Sequence, residues 1–302
     1  MPKIIVTGAA GFIGSHTTDL LLDLGHEVIG VDDFRSGHRE NLAPAFASRA
    51  FRLVEADVSA DGMMDELAAA EKPDGIIHLA ALVSVQDSME NPELNYRLNV
   101  LATHRVAEAA RQHGVGRLVF ASSAAIYGDA TDLPIDEDAE KRPYGGAKLA
   151  SEALLLAHGA AFGCTVRCQR YFNVFGPRQD PASPYSGVIS IFDQRYRDGR
   201  GVTIFGDGQQ TRDFISVNLL AVTKTGVKSG VANICTGNAT SLLQIAQIFA
   251  EHYPSVPEPV HGSARPGDII HSVGDADRAK AELEFRAQHT VAEGLSELIR
   301  PK

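Results

Sequence analysis

Residues 3–33, KIIVTGAAGFIGSHTTDLLLDLGHEVIGVDD, decide the fold class. The apolar run Ile4–Val6 predicts a buried strand, and a glycine-rich turn follows it directly. Apolar residues then recur at spacings of three and four, which predicts a helix, and a second apolar run ends at Asp32. A strand, a helix and a strand in this order form a βαβ unit, whose two strands lie parallel.

The same alternation continues along the chain. Further strands are predicted at FRLVEAD, GIIHLAA, RLVFASS, VRCQRYFNVFG and VANICTG, and helical patterns separate most of them. These strands are apolar throughout, which is typical of a sheet covered by helices on both faces. We therefore expect an α/β fold: a Rossmann-type doubly wound parallel sheet with a smaller C-terminal substrate-binding lobe.

The domain division is read from a change in composition. After Gly176 the chain becomes rich in proline, glycine and turn residues, as in GPRQDPASPYSG and VTIFGDGQQTRDF. We expect residues 1–172 to form the sheet domain, with return segments near 213–237. Residues 173–302 are expected to form mainly the smaller lobe.

Composition and charge exclude several classes of protein. The chain has 302 residues and a net charge of −10, which argues against nucleic acid as a partner. No apolar run reaches the ~18 residues of a membrane span, and no signal sequence precedes the first strand, so we expect a cytoplasmic protein without a membrane partner. Cys164, Cys168 and Cys235 are expected to be reduced thiols, and no histidine or second cysteine pair accompanies them, so no metal site is expected.

The glycine-rich turn predicts a dinucleotide site. Gly8, Gly11 and Gly14 follow a strand and open a helix, so the backbone passes close to a pyrophosphate at the helix N-terminus. Asp32 lies 18 residues beyond Gly14 and ends the second strand, where a carboxylate accepts hydrogen bonds from ribose and repels a 2′-phosphate. This favours NAD over NADP, although Arg35 nearby leaves a 2′-phosphate as the alternative.

Later strand ends add to this prediction. Asp57 ends the third strand and is a candidate for adenine contact, with ordinary strand-end chemistry as the equal alternative. The small residues of HLAA, positions 78–81, let a cofactor lie against the backbone. The full set of expected cofactor contacts in these strand-end segments is Gly8, Gly11, Phe12, Ile13, Gly14, Asp32, Asp33, Asp57, Val58, Leu79, Ala80 and Ala81.

A candidate catalytic group follows the fifth strand. That strand ends in FASSAAIYG, and Tyr144 and Lys148 stand four apart at the start of the next helical pattern. Together with the glycine turn, Asp32 and HLAA, these motifs span nearly the whole chain. The chain resembles the extended short-chain dehydrogenase/reductase family, and its UDP-glucose 4-epimerase-like branch most closely.

The resemblance and the chemistry agree on this group. Residues four apart share a helix face, so the ammonium of Lys148, with bound nicotinamide, lowers the pKa of the Tyr144 hydroxyl from about 10. The phenolate is then a general base, and both residues also contact the cofactor. The hydroxyl of Ser123 is expected to hydrogen-bond the same substrate oxygen, with Ser122 as a weaker candidate.

The resemblance also implies a sugar-nucleotide site. It assigns the diphosphate to Asn173, Arg212 and Arg265, a ribose to Asp268 and a stacked uracil to Phe205. It places Ser84 against the sugar, and Ser272 where related enzymes vary between tyrosine and a small residue, so that an N-acetyl group fits. The full set of expected substrate contacts is Ser84, Ser123, Asn173, Val188, Phe205, Arg212, Arg265, Asp268 and Ser272.

The predicted function is NAD-dependent epimerisation at C4 of a UDP-hexose, either UDP-glucose/UDP-galactose or the N-acetyl forms. The resemblance implies that Tyr144 removes the 4-hydroxyl proton while hydride leaves C4 for NAD, so that a 4-keto sugar forms. Hydride then returns from the reduced cofactor to the other face of the sugar. A UDP-glucuronate epimerase or decarboxylase is the alternative. A 4,6-dehydratase is disfavoured because Ala124 and Ala125 stand where that branch carries two acids. A catalytically inactive NAD-binding protein is disfavoured because the three catalytic residue types, Ser, Tyr and Lys, are all present. A homodimer is implied by the resemblance alone.

Two details of the sequence depart from expectation. The segments near 136–143 and 215–230 are shorter than the family pattern, which leaves their local order open. Gly145 and Gly146 separate Tyr144 from Lys148, although each glycine costs a helix about 1 kcal/mol. We interpret them as leaving room for cofactor and sugar, so leucine at either position is expected to reduce turnover more than stability.

Overall fold

The computed structural model describes residues 1–83, 85–141, 145–182, 187–217, 227–265, 268–287 and 289–300. The chain forms two compact units. The first unit comprises Met1–Ile126, Pro143–Arg170 and Val222–Ala232, and the second comprises Tyr127–Arg142, Tyr171–Ala221 and Asn233–Lys302. The division expected from the sequence placed residues 127–142 and 171–172 with the sheet domain, and it extended the return segments to 213–237, whereas only Val222–Ala232 group with the first unit. Within the second unit, Ile135 bridges to Gly274, and Asn233 accepts a hydrogen bond from Tyr127, which is why residues 127–142 group there.

The helices and strands alternate through the first unit, as the sequence predicted. In chain order the elements up to residue 171 are β1 (Lys3–Thr7), α1 (Phe12–Asp23), β2 (Glu27–Asp32), α2 (Ala43–Phe46), β3 (Phe51–Glu55), α3 (Met63–Glu71), β4 (Gly75–His78), α4 (Val85–Glu90), α5 (Pro92–Asn95), α6 (Ala102–Gln112), β5 (Arg117–Ser123), α7 (Gly146–Phe162) and β6 (Thr165–Tyr171). Short 3-10 turns occupy Arg39–Leu42 and Ala124–Tyr127, and a π-helical segment, Tyr96–Leu101, joins α5 to α6.

Shorter elements make up the rest of the chain. They are β7 (Asn173–Phe175), α8 (Val188–Arg197), β8 (Thr203–Phe205), β9 (Thr211–Arg212), β10 (Phe214–Ser216), β11 (Gly230–Ile234), β12 (Thr240–Ser241), α9 (Leu242–His252), β13 (Val260–Gly262), β14 (His271–Ser272), α10 (Asp277–Leu283) and α11 (Val291–Ile299). The single run VRCQRYFNVFG forms two strands, because β6 joins the large sheet whereas β7 pairs with β10.

The large sheet has seven strands in the order β11–β6–β5–β4–β1–β2–β3. β1 pairs in parallel with both β2 and β4, so the chain reverses its direction of winding on either side of β1. Ligands of such sheets bind outside the carboxyl ends of the strands at this reversal. The sheet confirms the predicted Rossmann-type doubly wound parallel fold.

Two hydrophobic cores explain why the strands are apolar throughout. Ile5, Ile76 and Leu118 face a core with α3, α6 and α7, whereas the next residues along the strands face a second core with α1 and α2. Successive side chains on a strand point to opposite faces, so most positions of the central strands are buried on one side or the other, whereas Arg52 and Glu55 of the edge strand β3 are exposed.

The second unit has its own core. Helices α8, α9 and α11 pack their apolar faces around β7, β8 and β10, with Phe175, Phe192 and Phe249 among the buried residues. The strands are paired as β10–β7, β12–β9–β14 and β13–β8, and each is only two or three residues long. Among the described residues of the whole chain, no helix has the length and apolar character needed to cross a bilayer.

Candidate active site

The glycine turn between β1 and α1 is packed as tightly as a cradle for pyrophosphate requires. Gly8 adopts a positive φ of 70°, and a Cβ there would lie 2.7 Å from the amide nitrogen of Ala80. A Cβ on Gly14 would overlap the carbonyl oxygen of Gly8, so the helix lies directly against the turn. Gly11 is the N-cap of α1, and no described side chain caps the first turn of that helix. The uncapped N–H groups of a 12-residue helix are a suitable partner for an anionic phosphate.

Asp32 at the end of β2 is buried and forms a hydrogen bond to the glycine turn. Its Oδ2 accepts a hydrogen bond from the amide of Ala10 at 2.8 Å, and its Oδ1 accepts one from the amide of Phe34 at 2.8 Å. The pKa of this carboxyl group is raised, because the effect of burial is larger than the opposing effect of the backbone hydrogen bonds. A carboxylate accepts more than one hydrogen bond at each oxygen, so Asp32 retains acceptor capacity for a ribose hydroxyl.

The loop after β2 closes on the same turn, which the sequence did not reveal. The amide of His38 and the side-chain Nδ2 of Asn41 both donate to the carbonyl oxygen of Ala10, at 3.0 and 2.9 Å. A Cβ on Gly37 would lie 2.9 Å from Ala10, so only glycine fits this approach. The Gly and Asn in SGHREN were the available signal, but their partner Ala10 lies about 30 residues away in the sequence.

The charged residues near Asp57 are already paired. Oδ1 of Asp57 accepts hydrogen bonds from the amide and hydroxyl of Ser59, and Oδ2 lies 2.9 Å from Arg97. Burial would raise the pKa of Asp57, but the Ser59 hydrogen bonds and the Arg97 guanidinium lower it. Arg35 lies 2.9 Å from Asp33 and 3.5 Å from Asp57, so its charge is compensated by two carboxylates. This pairing favours a free ribose hydroxyl over a 2′-phosphate. Adenine contact by Asp57 or Val58 stays a prediction.

A buried histidine links the ends of β1 and β4. His78 Nδ1 accepts a hydrogen bond from the hydroxyl of Thr7 at 2.7 Å, and that hydroxyl in turn accepts from the amides of Leu79 and Ala80 at 3.2 Å. Burial lowers the pKa of His78 to about 3, so the imidazole is neutral. The predicted cofactor segment 79–81 is thereby fixed to the strand that carries the glycine turn.

The same histidine extends this network to the π-helical segment. Its Nε2 donates to Thr103 at 3.1 Å, and the Thr103 hydroxyl donates to the carbonyl oxygen of Asn99. The Asn99 side chain accepts from the amide of Leu82 at 2.9 Å and donates to its carbonyl oxygen at 3.0 Å. Asn99 is a polar residue within an apolar helical pattern, and this could have indicated its structural role from the sequence. Asn99 holds the backbone that follows Ala81.

Ser123 ends β5, and Lys148 donates a hydrogen bond to the same strand two residues earlier. The Oγ of Ser123 accepts a hydrogen bond from the amide of Ala125 at 3.1 Å, and Ser123 is partly exposed. Ser122 faces the opposite side of the strand and is only 4% exposed, which supports the choice of Ser123. The ammonium of Lys148 donates to the carbonyl oxygen of Ala121 at 2.8 Å.

Lys148 is held in an apolar setting. Its Nζ lies 4.7 Å from the centre of the Phe120 ring, and burial lowers its pKa to about 8, against the opposing effect of Glu152. Glu152 forms a bidentate, almost fully buried ion pair with Arg170, with oxygen–nitrogen distances of 2.9 and 2.7 Å. This pair ties α7 to β6 and was not foreseen from the sequence. Tyr144 lies outside the described residues, so its role as general base stays a prediction.

The structure gives different reasons for the two glycines before Lys148. Gly145 is the N-cap of α7, and a Cβ there would lie 2.5 Å from the Cα of Ile126. Gly146 begins the helix, and a Cβ there would meet no described atom within 4 Å. The expectation that both glycines leave room for ligands is therefore not supported at Gly145, where close backbone packing alone requires glycine.

In the second unit, three predicted substrate residues lie around one strand. Arg212 in β9 is paired with Ser272 in β14, and its Nη1 donates to the carbonyl oxygens of Thr211 and Ile270 at 2.9 and 3.4 Å. Burial lowers the pKa of Arg212, while the charge of Asp268 opposes that effect. Asn173 in β7 donates through Nδ2 to the carbonyl oxygen of Asp213 at 3.3 Å.

A second pair of predicted residues is in direct contact. The guanidinium of Arg265 lies over the ring of Phe205, 3.8 Å from its centre. Phe205 is paired with Gly262 in β13, and a Cβ on that glycine would lie 3.3 Å from the ring. Val188 begins α8 and packs against the core of this unit, whereas Ser84 lies outside the described residues.

Comparisons with known proteins agree with this geometry. The model of the NAD dependent epimerase/dehydratase family matches residues 4–222. A UDP-glucose 4-epimerase from Mycolicibacterium smegmatis is 38% identical over 98% of this chain and 97% of its own length. A Thermotoga maritima UDP-glucose 4-epimerase solved with UDP-glucose is 34% identical, with a TM-score of 0.90 over 98% of this chain and 97% of that one.

A third similar protein was solved with a different UDP-sugar. A UDP-N-acetylglucosamine 4-epimerase from Methanobrevibacter ruminantium, solved with UDP-N-acetylmuramic acid, is 31% identical, with a TM-score of 0.91 over 99% of this chain and 97% of that one. The resemblance stated from the motifs is confirmed, and NAD, for which the glycine turn and Asp32 are suited, is the cofactor of the matched family. The chain belongs to the NAD dependent epimerase/dehydratase family.

Proposed function

We propose that this protein interconverts the C4 epimers of a UDP-hexose through a transient 4-keto sugar. The observation that carries the proposal is the position of Lys148: its ammonium lies 2.8 Å from Ala121, two residues before Ser123 at the end of β5. A lysine with a pKa of about 8, held against the strand that ends in Ser123 and four residues after Tyr144, is suited to proton transfer at a sugar hydroxyl.

Each residue of this group has a separate task. Tyr144 takes the proton of the 4-hydroxyl group and returns it, Lys148 stabilises the phenolate with its positive charge, and Ser123 donates a hydrogen bond to the reacting oxygen. When bound, NAD supplies the hydride acceptor and donor for C4. The turn of Gly8, Gly11 and Gly14, with the strand-end segments already described, would hold it.

The second unit supplies residues suited to the nucleotide diphosphate. We propose that Arg212, Arg265 and Asn173 bind the diphosphate, that Asp268 binds a ribose and that Phe205 stacks on the base. A planar guanidinium matches the geometry of phosphate oxygens, and stacking on an aromatic ring suits a flat base. Ser272 is half-buried and small, which favours acceptance of a 2-N-acetyl group. Roles for Ser84 and Val188 against the sugar stay predictions.

The test is incubation of the purified protein with UDP-glucose, UDP-galactose, UDP-GlcNAc and UDP-glucuronate, followed by separation of the products. We expect C4 epimers to form without added NAD, because the cycle consumes none. A 4-keto-6-deoxy product would contradict the proposal, and a pentose product would replace it by the UDP-glucuronate alternative. The expected cytoplasmic location and homodimeric assembly stay predictions.

A further inference from the structure

The carboxylate of Asp213 is the anchor of several loops in the second unit. Asp213 lies between β9 and β10, is 0% exposed, and has no cation within ion-pair distance among the described residues. Its Oδ1 accepts hydrogen bonds from the amide and the hydroxyl of Thr236 at 2.8 and 2.7 Å. Its Oδ2 accepts from the amides of Gly237 and Gly274 at 2.8 and 3.3 Å. One side chain therefore joins segments 23 to 61 residues away in the sequence.

The main chain of the same residue holds three of the predicted substrate residues. Its carbonyl oxygen accepts from the amide and the Nδ2 of Asn173 at 3.0 and 3.3 Å. Its amide donates to the carbonyl oxygen of Ser272 at 2.8 Å, and Arg212 precedes it directly. The backbone position of Asp213 thus sets where Asn173, Arg212 and Ser272 lie relative to one another.

The chemistry of the contacts requires a carboxylate at this position. All four groups that point at Asp213 are donors, so both of its oxygens must accept. An asparagine would turn an NH2 group toward one pair of donors and leave those groups unsatisfied, which costs about 1–3 kcal/mol. Burial of an unpaired charge is itself unfavourable, and four hydrogen bonds offset that cost here.

Glu137 provides a contrast within the same unit. It is 5% exposed, accepts a hydrogen bond from the amide of Asn233 at 2.7 Å, and lies 3.3 Å from the guanidinium of Arg278. Its buried charge is compensated by a cation, whereas that of Asp213 is compensated by loop N–H and O–H groups. The two acids are similar in burial and differ in what they fix.

We infer that Asp213 is a positioning residue for the diphosphate end of the substrate. By fixing Thr236, Gly237 and Gly274 through its carboxylate, it holds the strand from which Arg212 reaches the diphosphate. The inference rests on the proposed function, because it concerns the same substrate site. A positioning residue of this kind changes the affinity for substrate and leaves the chemical step and the cofactor in place.

The test compares Asp213→Asn with Glu137→Gln in the full chain. The measurements are the Kd for UDP by calorimetry, kcat and KM with UDP-galactose, NAD content and the unfolding temperature. We expect Asp213→Asn to raise the UDP Kd and KM by roughly 10-fold or more, with kcat within about 3-fold and NAD content unchanged. Glu137→Gln is expected to lower the unfolding temperature and to leave the UDP Kd unchanged.

A milder variant covers the case in which Asp213→Asn does not fold. Thr236→Val removes one of the four donors, and we expect a rise in UDP Kd of about 3- to 5-fold. The inference is overturned if these variants bind UDP as the wild type does, if Glu137→Gln raises Kd equally, or if kcat falls while KM is unchanged. If the wild-type protein binds no UDP, both the proposed function and the inference are overturned. The variant results given above would overturn the inference alone and would not contradict the proposed function.

Discussion

The charged side chains proposed to bind ligands have different partners in the two units. In the first unit the charged side chains near the strand ends are paired with backbone N–H groups or opposite charges: Asp32 accepts two backbone N–H groups, Asp57 is paired with Arg97, and Arg35 lies close to Asp33 and Asp57. In the second unit Arg212 donates to carbonyl oxygens and Arg265 lies over an aromatic ring. Among the described residues no carboxylate forms an ion pair with either arginine.

This difference matches what each unit is proposed to bind. A cofactor that stays bound through a redox-neutral cycle needs a site whose geometry is fixed before it binds, and internal hydrogen bonds provide that. A substrate that carries a diphosphate is bound best by cations whose charge has not been compensated by the protein. Variants of the first unit are therefore expected to change turnover, and variants of the second unit to change substrate affinity.

The largest effect is expected for Lys148→Met in the first unit. The change removes the positive charge that is proposed to stabilise the Tyr144 phenolate and keeps a side chain of similar length, so we expect kcat to fall by a factor on the order of 10²–10⁴. The UDP Kd is expected to stay within about 3-fold of the wild-type value, because the residues proposed to bind the diphosphate lie in the second unit. Steady-state kinetics with UDP-galactose and calorimetry with UDP measure the two quantities.

Lys228→Met is the matched control, because Lys228 is an exposed lysine of the same unit. It is expected to leave kcat unchanged. A Lys148→Met protein with wild-type kcat would contradict the role of the ammonium group, and one with normal kcat but weak UDP binding would reverse the comparison between the units.

The same lysine variant also has an expected signature in the pH dependence of stability. Burial lowers the pKa of Lys148 from its ordinary 10.5 to about 8, so between these values the unfolded chain binds more protons than the folded chain. The free energy of unfolding contributed by this group therefore rises from about pH 8 to pH 10.5, by at most about 3 kcal/mol. Denaturant unfolding across this range should show the rise in the wild type and a smaller one in Lys148→Met.

Intermediate effects are expected for the two arginines of the second unit. Arg212→Ala and Arg265→Ala each remove a guanidinium that is proposed to bind the diphosphate, so we expect the UDP Kd to rise by about 10- to 100-fold while NAD content stays unchanged. The two variants should differ with uridine, which has no phosphate. Arg265 covers the Phe205 ring, so its removal is expected to leave uridine binding equal or stronger.

Arg200→Ala serves as the control for these arginines, because its side chain is 58% exposed and pairs with Asp198. It is expected to bind UDP as the wild type does. If neither Arg212→Ala nor Arg265→Ala weakens UDP binding, the second unit does not hold the diphosphate through these residues. If Arg265→Ala weakens uridine binding, the guanidinium supports base stacking rather than covering the ring.

The sequence was most informative where structure is determined by nearby residues. The apolar runs, the helical spacing and the Gly8–Gly14 turn predicted the doubly wound sheet, because strand periodicity and turn geometry are local properties. The strand ends then followed from topology, since the carboxyl ends of parallel strands share one edge of a sheet. Lys148 donates to Ala121 at such a strand end, two residues before Ser123, whereas the catalytic roles of both residues stay predictions.

The sequence was least informative where a contact joins distant segments. The carboxylate of Asp213 meets Gly274, 61 residues away, and the side chain of Asn41 meets Ala10, 31 residues away. Strands of two or three residues, such as β9 and β14, are too short to show an alternating pattern. The second unit is built largely from such strands, so its predicted residues depended on the family resemblance.

The smallest effects are expected for the two glycines before Lys148, and they separate packing from ligand access. A Cβ on Gly145 would lie 2.5 Å from the backbone of Ile126, so Gly145→Ala must displace α7 from the 3-10 turn and is expected to destabilise the fold by about 1–3 kcal/mol. Gly146→Ala meets no described atom within 4 Å and is expected to stabilise the first turn by up to about 1 kcal/mol.

Thermal unfolding of the two variants, with kcat measured on each, distinguishes the two reasons for glycine. If close packing is the reason for glycine at position 145, Gly145→Ala loses stability. If Gly146 has no role in ligand access, Gly146→Ala keeps full turnover. If Gly146→Ala folds normally but loses turnover, that glycine leaves room for a ligand, and the first interpretation of the sequence is correct at this position. The two results therefore decide whether packing against the 3-10 turn or access for a ligand requires glycine at the start of α7.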